Sequence, residues 1–215
     1  MCSFFVAIGY TTSMNTLKCL GCQEELFDQG FLCEQCFEEL VKIQSLEKFI
    51  HNNVLVYTVF FYTGIVEKLI HQMKFNGRPA LCQFLASFMV EFIKKNHLEP
   101  KSVSYIPMHY LKRWMRGFDP GYLLADTLSK ELGIPLVKAL KRVRGTKSLY
   151  RLKPKEREQT LKGCFMIQEP YEGPLVIIDD IFTTGSTISE AASTLLEGDQ
   201  ETFFCLVLSK AWKKM

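Results

Sequence analysis

Residues 175–187 of this 215-residue chain read LVIIDDIFTTGST, and this stretch decides the predicted fold. Its first four residues, Leu175 to Ile178, are all apolar, as expected for a strand buried on both faces of a sheet. Two carboxylates, Asp179 and Asp180, follow, and a turn rich in Thr, Gly and Ser then leads into a predicted helix over Thr187–Leu196. A buried strand followed by a polar turn and a helix is typical of a parallel α/β sheet.

The polar turn favours an anionic ligand. It consists of Thr183, Thr184, Gly185, Ser186 and Thr187. At the start of a helix, free backbone N–H groups and the helix dipole attract negative charge, and Gly185 lets a ligand approach the backbone closely. Asp179 and Asp180 can accept hydrogen bonds from sugar hydroxyls or hold Mg²⁺ through water. The sequence therefore predicts a phosphate-binding loop beyond the carboxyl end of a strand. The alternative is an ordinary strand–turn–helix connection with two capping acids.

Strands and helices alternate on either side of this stretch. Further strands are predicted at Val54–Tyr62, Val103–Pro107, Leu136–Leu140, Cys164–Ile167 and Thr202–Ser209. Further helices are predicted at Cys36–Phe49, at Gly64–Lys74, from the turn Asn76–Pro79 through Asn96, and from Pro120 through Leu132 with Asp119 as its cap. The basic segment Met108–Phe118 is predicted to be a loop, and Lys141–Gly163 a loop or an extended hairpin. The alternation indicates a parallel, doubly wound α/β sheet.

Four of the eight cysteines form two closely spaced pairs, Cys19 with Cys22 and Cys33 with Cys36. Two such pairs suit a tetrahedral Zn²⁺ ion whose four positions are all filled by thiolates, which is the pattern of a structural site. Reduced core thiols or two disulfides are the alternatives. The other four cysteines are scattered, which favours a reducing, cytoplasmic compartment. No apolar run approaches the ~20 residues that a membrane-spanning helix needs.

Charge is unevenly distributed along the chain. The 26 basic and 23 acidic residues nearly balance, and 47% of residues are hydrophobic, which excludes a wholly disordered or fibrous protein. Residues 1–60 nevertheless carry a net charge of −4, and residues 138–162 carry +8. For the basic stretch, a loop that closes over a phosphorylated ligand, a surface for single-stranded DNA and a merely solvated loop all remain open. His51, His71 and His97 are assigned to helical contexts without chemistry.

Residues 175–187 closely resemble the signature for 5-phosphoribosyl-1-diphosphate (PRPP) in type I phosphoribosyltransferases. Residues 16–210 resemble the ComF family of competence-associated proteins. Further residues that carry this resemblance are Tyr62–Gly64, Lys74–Gly77, Ile106–His109, Arg113, Arg116–Phe118 and Arg142–Thr146. The resemblance implies an α/β, type I phosphoribosyltransferase-like parallel sheet flanked by helices, with an N-terminal zinc-ribbon-like module. The expected organisation is a disordered extension over 1–15, a four-cysteine zinc module plus helix over 16–50, and a phosphoribosyltransferase-like domain over 51–215. Residues 1–13 are treated as non-functional because Met14 would also serve as a start.

The same resemblance implies a role for each site residue. Asp179 and Asp180 would contact the ribose hydroxyls and, through water, Mg²⁺, while Thr183–Thr187 would cradle the 5′-phosphate. Met108, His109 and Tyr110 correspond to the diphosphate loop, and Lys141–Gly163 to the flexible loop that closes over PRPP in this class. The basic contacts to diphosphate or DNA are Arg113, Arg116, Arg142, Arg144, Lys147 and Arg151. No catalytic residue is assigned.

The resemblance also implies a cytoplasmic part in DNA uptake during natural transformation. PRPP, single-stranded DNA and other cytoplasmic competence proteins are the expected partners, and no stable membrane insertion is expected. Two alternatives stay open, a non-catalytic module that binds PRPP or DNA, and a transferase whose small-molecule acceptor is unrelated to DNA uptake. Leu149 and Thr160 replace the Gln and Asn usual in ComF relatives, and Thr183 replaces the Asp of purine-salvage relatives, which argues against purine salvage.

Overall fold

The computed structural model of the chain describes residues 17–27, 30–145, 154–198, 200 and 202–211. The described strands are β1 (Leu17–Lys18), β2 (Glu25–Leu26), β3 (Gln44–His51), β4 (Val54–Phe61), β5 (Ser102–Tyr105), β6 (Leu140–Arg142), β7 (Phe165–Ile167), β8 (Leu175–Phe182) and β9 (Phe203–Lys210). The described helices are α1 (Glu34–Lys42), α2 (Gly64–Phe75), α3 (Pro79–Lys95), α4 (Tyr110–Arg116), α5 (Pro120–Leu132), α6 (Pro154–Leu161) and α7 (Ser186–Glu197). The predicted extension over 1–15, Lys147, Leu149 and Arg151 lie outside the described residues.

The central sheet has five strands in the order β3-β4-β9-β8-β5. The pairs β4–β9, β9–β8 and β8–β5 are parallel, and the pair β3–β4 at one edge is antiparallel. Two short antiparallel pairs, β1–β2 and β6–β7, lie outside this sheet. The predicted α/β fold with a mostly parallel sheet is confirmed.

Helices cover both faces of the sheet because its inner strands carry apolar side chains on both faces. On β8, Val176 and Ile178 pack into a cluster with α2, α3 and α5, whereas Leu175 and Ile177 pack into a second cluster with α7. The four-cysteine segment joins the first cluster through Leu20, Cys36 and Leu40. Its apolar side chains are therefore buried by the main core rather than by a core of its own, which so short a segment could not form.

The predicted helix Cys36–Phe49 is wrong in its second half. Helix α1 ends at Lys42, and Gln44–His51 forms strand β3, which pairs with β4. The turn between the two strands places Asn52 and Asn53 at φ 47° and 64°, the left-handed conformation that a two-residue hairpin requires. Pairing with the edge of β4 outweighed the weak helical pattern of the segment.

The basic segment Met108–Phe118, predicted to be a loop, contains helix α4. This helix is capped at both ends, since His109 Nδ1 accepts from the backbone N–H of Leu111 at 3.4 Å and Gly117 ends the helix at φ 82°. The predicted cap of the following helix is confirmed. Asp119 Oδ1 accepts from the backbone N–H groups of Gly121 and Tyr122 at 3.0 and 3.4 Å.

Two further predictions need correction. The strand predicted at Leu136–Leu140 is reduced to one bridge, between Leu136 and Val103, and the strand that forms, β6, begins at Leu140. Within the predicted loop Lys141–Gly163, residues Pro154–Leu161 form helix α6, while β6 and β7 pair as antiparallel strands on either side. None of the described helices is both long and apolar enough to cross a bilayer.

Candidate functional site

The turn between β8 and α7 is open at the start of the helix. Gly185 is the N-cap at φ 77°, and it has no side chain that could accept from the first N–H groups of α7. Thr184 Oγ1 and Ser186 Oγ lie 2.9 Å apart and share a hydrogen bond. A shallow depression is lined by Asp179, Ile181, Phe182, Thr183, Gly185, Ser186, Thr187 and Ile188. The structure therefore brings both the predicted loop residues and one of the carboxylates to the same opening.

The two carboxylates differ in their surroundings. Burial raises the pKa of Asp179 to about 7, and the charge of Asp180 adds to this effect, while the backbone N–H of Asp180, 2.9 Å from Asp179 Oδ1, opposes it. Asp180 Oδ1 instead accepts from the ammonium group of Lys74 at 2.8 Å. Asp180 thus has a cationic partner, whereas Asp179 titrates near neutral pH. Carboxylate oxygens are the ligands that Mg²⁺ prefers, so this donor set fits the ion.

The predicted diphosphate loop, Met108 to Tyr110, lies beside this opening. It follows β5, which pairs with β8, and the backbone N–H of Ile106 donates to the carbonyl of Ile178 at 2.9 Å. The backbone N–H of Met108 donates to Asp119 Oδ2 at 3.1 Å, and the buried His109 caps α4. The carboxyl ends of neighbouring parallel strands thus carry both predicted loops, as the topology requires.

The described basic residues that were predicted to contact diphosphate or DNA have different partners. Arg116 and Arg142 each lie over an aromatic ring, whereas Arg144 bonds to backbone carbonyls. Arg116 lies 5.6 Å from the ring centre of Phe75, and Arg142 lies 5.5 Å from that of Phe165. Arg144 is occupied elsewhere, since its guanidinium donates to the carbonyl oxygens of Thr160 and Lys162 at the end of α6. Lys147 and Arg151 lie outside the described residues.

Helix α4 presents an exposed aromatic and basic surface, here called the α4 surface. Its exposed side chains are Tyr110, Leu111, Lys112, Arg113, Trp114 and Met115, and the half-buried Arg116 completes it. Trp114 is 82% exposed and Met115 is 80% exposed. Large side chains so open to water on a basic helix indicate a contact surface rather than core.

The four predicted zinc ligands come together. The Sγ atoms of Cys19, Cys22, Cys33 and Cys36 all lie within 4.8 Å of one another, and the cluster can hold a metal ion. The backbone N–H groups of Gly21 and Cys33 donate to Cys19 Sγ at 3.4 and 3.3 Å. Burial disfavours the Cys19 thiolate, but the N–H groups of Cys22, Cys33 and Gly21 outweigh it and lower the pKa of this thiol to about 6.

The alternative of two disulfides is not found, because all four of these cysteines are free. Cys22 Sγ and Cys33 Sγ, for example, are 3.6 Å apart, far longer than an S–S bond. Cys82, Cys164 and Cys205 are also free, and all three are buried in the core.

Sequence reasoning missed two residues near the loop, Lys74 and His51. His51 Nε2 lies 2.9 Å from Ser189 Oγ, Asn52 donates to the same oxygen at 2.7 Å, and Ser189 Oγ donates to the carbonyl of Gly185 at 3.0 Å. A Cβ atom added at Gly185 would collide with the imidazole of His51. The hairpin β3–β4 therefore packs against the loop and the first turn of α7. The sequence did carry one indication of this hairpin, the pair Asn52-Asn53, because asparagine favours the positive φ of a two-residue turn.

A scan against models of protein families finds none that matches the chain. The chain is 32% identical over 152 residues to the DNA utilization protein YhgH of Shigella flexneri, a match that covers 67% of each. It is 27% identical over 198 residues to competence protein F of Haemophilus influenzae, covering 82% of this chain and 83% of that one. Against the YhgH protein of Salmonella typhimurium the match spans 65% of the relative's length, just under two thirds.

Among solved structures, orotate phosphoribosyltransferase from Aeropyrum pernix is similar with a TM-score of 0.40 and 15% identity, and the match covers 81% of both chains. The sequence matches are the stronger finding. The chain belongs to the family that includes the DNA utilization protein YhgH and competence protein F.

Proposed function

We propose that this protein binds PRPP together with Mg²⁺ at the β8–α7 loop and acts as a phosphoribosyltransferase-like protein in DNA uptake. One observation carries the proposal. A glycine-capped loop at the start of α7 adjoins the pair Asp179–Asp180, at an edge of the sheet where the neighbouring strand β5 also ends. This arrangement matches the parts of PRPP, since it offers N–H groups for a phosphate and carboxylates for the ribose hydroxyls.

The proposed chemistry follows from where charge develops. The 5′-phosphate binds at Thr183–Thr187, the ribose hydroxyls donate to Asp179 and Asp180, and the diphosphate faces Met108–Tyr110. When the C1–O bond breaks, the electron pair leaves with the diphosphate and the sugar gains oxocarbenium character. Arg113 and Arg116 stabilise the charge on the departing oxygens. Asp179 and Asp180 would hold Mg²⁺ through water, and the ion would supply Lewis-acid stabilisation of the same charge.

The acceptor is not a purine in this proposal, because Thr183 stands where a purine-specific carboxylate would be needed and a hydroxyl is a poor general base. A non-catalytic PRPP-binding module is the second candidate, since no general base has been assigned. Release of pyrophosphate from PRPP, measured with and without single-stranded DNA, distinguishes the two. Turnover supports the transferase, and binding without turnover supports the module.

We also propose that single-stranded DNA binds the α4 surface. Bases stack on exposed aromatic side chains while cations contact the phosphates. Trp114 and Tyr110 supply the aromatic faces, and Lys112, Arg113 and Arg116 supply the charge. In addition, we propose that the ion at the four cysteines is Zn²⁺, because four thiolates form a closed structural site for this ion.

Titration calorimetry with Mg²⁺–PRPP tests the first proposal. The wild-type protein is expected to bind, and Asp179→Asn combined with Asp180→Asn is expected to lose binding while the protein remains folded. Asp126→Asn is a matched control, because Asp126 is a carboxylate on the surface of α5 that pairs with Lys130 at 2.6 Å. Unchanged affinity in the folded double variant would rule out this site for PRPP.

A further inference from the structure

Lys74 reaches the carboxylate pair from a different part of the chain. It lies in the last turn of α2, and its Nζ atom is 2.8 Å from Asp180 Oδ1, with both side chains only 20% exposed. The described ion pairs Lys42–Glu38 and Lys130–Asp126 are different, because each joins residues four apart on one helix and its lysine is more than 70% exposed. Lys74 and Asp180 are 106 positions apart and mostly buried, so the tertiary structure brings this ion pair together.

The surroundings of Lys74 carry more positive than negative charge. Arg116 lies over Phe75, the neighbour of Lys74. Partial desolvation lowers the pKa of Lys112, and the charges of Arg142, Arg116 and Lys74 lower it further, so these three cations lie within electrostatic range of Lys112. Even with Asp119 counted beside Asp179 and Asp180, the carboxylates are outnumbered. This excess of cations favours a polyanionic ligand at the site.

The ammonium group of Lys74 has hydrogen-bonding capacity to spare. It carries three N–H donors. Within the described part of the chain, Asp180 Oδ1 is the acceptor found for it, which leaves donors for oxygen atoms of a ligand. Lys74 contacts a carboxylate proposed to bind the ribose, and it has an excess of cations around it. It therefore lies where the ribose and the diphosphate of PRPP would meet.

We propose that Lys74 is a substrate-binding residue whose ammonium bridges Asp180 and the diphosphate of bound PRPP. This inference rests on the proposed function. It gives a role to the segment Lys74–Gly77, to which the sequence assigned none. The bridge aligns the carboxylate with the ribose hydroxyls and places a positive charge against the leaving group, where charge-assisted hydrogen bonds are strongest.

The test compares two ligands on the intact protein. Mg²⁺–PRPP and ribose 5-phosphate share the 5′-phosphate and the ribose, but only PRPP has the diphosphate. For Lys74→Met we expect PRPP affinity to fall about tenfold to a hundredfold, as for the loss of a charge-assisted hydrogen bond. Ribose 5-phosphate affinity should fall at least tenfold less. Lys74→Arg, which keeps the charge, should recover part of the loss.

Lys130→Met is the matched control, because it removes a lysine from an ion pair of 2.6 Å on the exposed face of α5. It should leave both affinities unchanged. Thermal unfolding checks that the variants are folded, and Lys74→Gln replaces Lys74→Met if the latter does not fold. Equal losses for both ligands, or no loss for either, would overturn the inference while the proposed function stands. Failure of the wild-type protein to bind PRPP would overturn both.

Discussion

The cysteine cluster and the phosphate loop are assembled in opposite ways. All four thiols of the cluster come from residues 19–36, and their Sγ atoms lie within 4.8 Å of one another. The proposed phosphate loop, Thr183–Thr187, lies between β8 and α7, but the residues around it and the adjoining carboxylates come from the β3–β4 hairpin, α2, the β5–α4 connection and β6. A site made from one short segment is visible in the spacing of its residues, whereas a site made from five segments is visible only in part.

The two regions also differ in the charge of the ligand that we propose for each. Ionised thiolates gathered in one cluster repel one another unless a cation binds between them. The phosphate loop has the reverse need, because cations outnumber carboxylates around it and the start of α7 favours an anion. Removing the ligand is therefore expected to unfold the first region and to leave the second folded.

The largest effect is expected from Cys19→Ser. We expect the wild-type protein to contain one zinc ion per chain by elemental analysis and the variant to lose it. Structural zinc contributes on the order of 10 kcal/mol to the folding of such sites, and Leu20 and Leu40 tie the segment to the main core. The thermal midpoint of the whole protein should therefore fall. Cys2→Ser, at a cysteine that belongs to neither closely spaced pair, is the control and should retain zinc. A metal-free protein of full stability would contradict the assignment.

The second prediction concerns pH and Asp179. The pKa of this carboxyl group rises from 3.8 to about 7 on folding, so the folded protein holds its proton more tightly than the unfolded chain. The stability that this proton gives is complete below pH 4 and is lost as pH rises towards 7, by up to about 1.4 kcal/mol per pH unit. Denaturant unfolding at pH 5, 6 and 7 should show this slope.

Asp179→Asn should flatten the slope because its amide does not ionise. Asp126→Asn, on the surface of α5, should keep the wild-type slope. Identical slopes in the wild-type protein and Asp179→Asn would mean that Asp179 does not titrate in this range. The free-energy cost of ionising a buried carboxyl group would then arise at another residue. The phosphate loop would lack the desolvated carboxylate that distinguishes it from the cysteine cluster.

The third prediction separates backbone strain from steric contact at the phosphate loop. Gly185 and Gly117 both have positive φ, 77° and 82°, but a Cβ atom at Gly117 meets nothing within 4 Å, whereas one at Gly185 meets His51. Gly117→Ala should cost about 1–2 kcal/mol for the left-handed backbone alone. Gly185→Ala should cost roughly 1–3 kcal/mol more because of overpacking, as measured by denaturant unfolding.

Combining Gly185→Ala with His51→Ala supplies the check. With the imidazole removed, the destabilisation caused by Gly185→Ala should equal that caused by Gly117→Ala. His51→Ala itself also loses the hydrogen bond to Ser189, and that loss is counted separately. If Gly185→Ala and Gly117→Ala destabilise equally, the hairpin does not brace the loop.

The smallest effect is expected at the α4 surface. Trp114→Ala should weaken binding of single-stranded DNA by about 1–3 kcal/mol, the contribution of one stacked base. Phe27→Ala is the control, since Phe27 is also exposed but lies between the two cysteine pairs in the sequence, in the acidic part of the chain. Gel-shift titration measures both. Stronger loss in Phe27→Ala than in Trp114→Ala would move the DNA surface to the cysteine segment.

The salt dependence of DNA binding checks the charged part of the same surface. Each phosphate contact contributes a slope of about −0.7 for single strands, so replacing Arg113 and Arg116 by Ala should flatten the slope by roughly 1.4. An unchanged slope would mean that these arginines do not contact DNA.

Features that depend on near neighbours in the sequence were determined by the sequence itself. The apolar run Leu175–Ile178 predicts a strand buried on both faces, and its residues do alternate between the two core clusters. The spacing of the four cysteines predicts their cluster, and Asp119 before Pro120 predicts the start of α5. Each of these signals acts within a few residues, so it is present before the chain folds.

Tertiary structure alone decided the rest. Segment 44–51 is a strand because the edge of β4 is available to it, and Lys74 meets Asp180 because α2 ends beside β8. His51 reaches Gly185 across 134 positions of sequence for the same kind of reason. Such contacts depend on where two distant elements pack, and no local periodicity, cap or spacing carries that information. The sequence therefore identifies the loop between β8 and α7 as the candidate site, and the fold determines which side chains surround it.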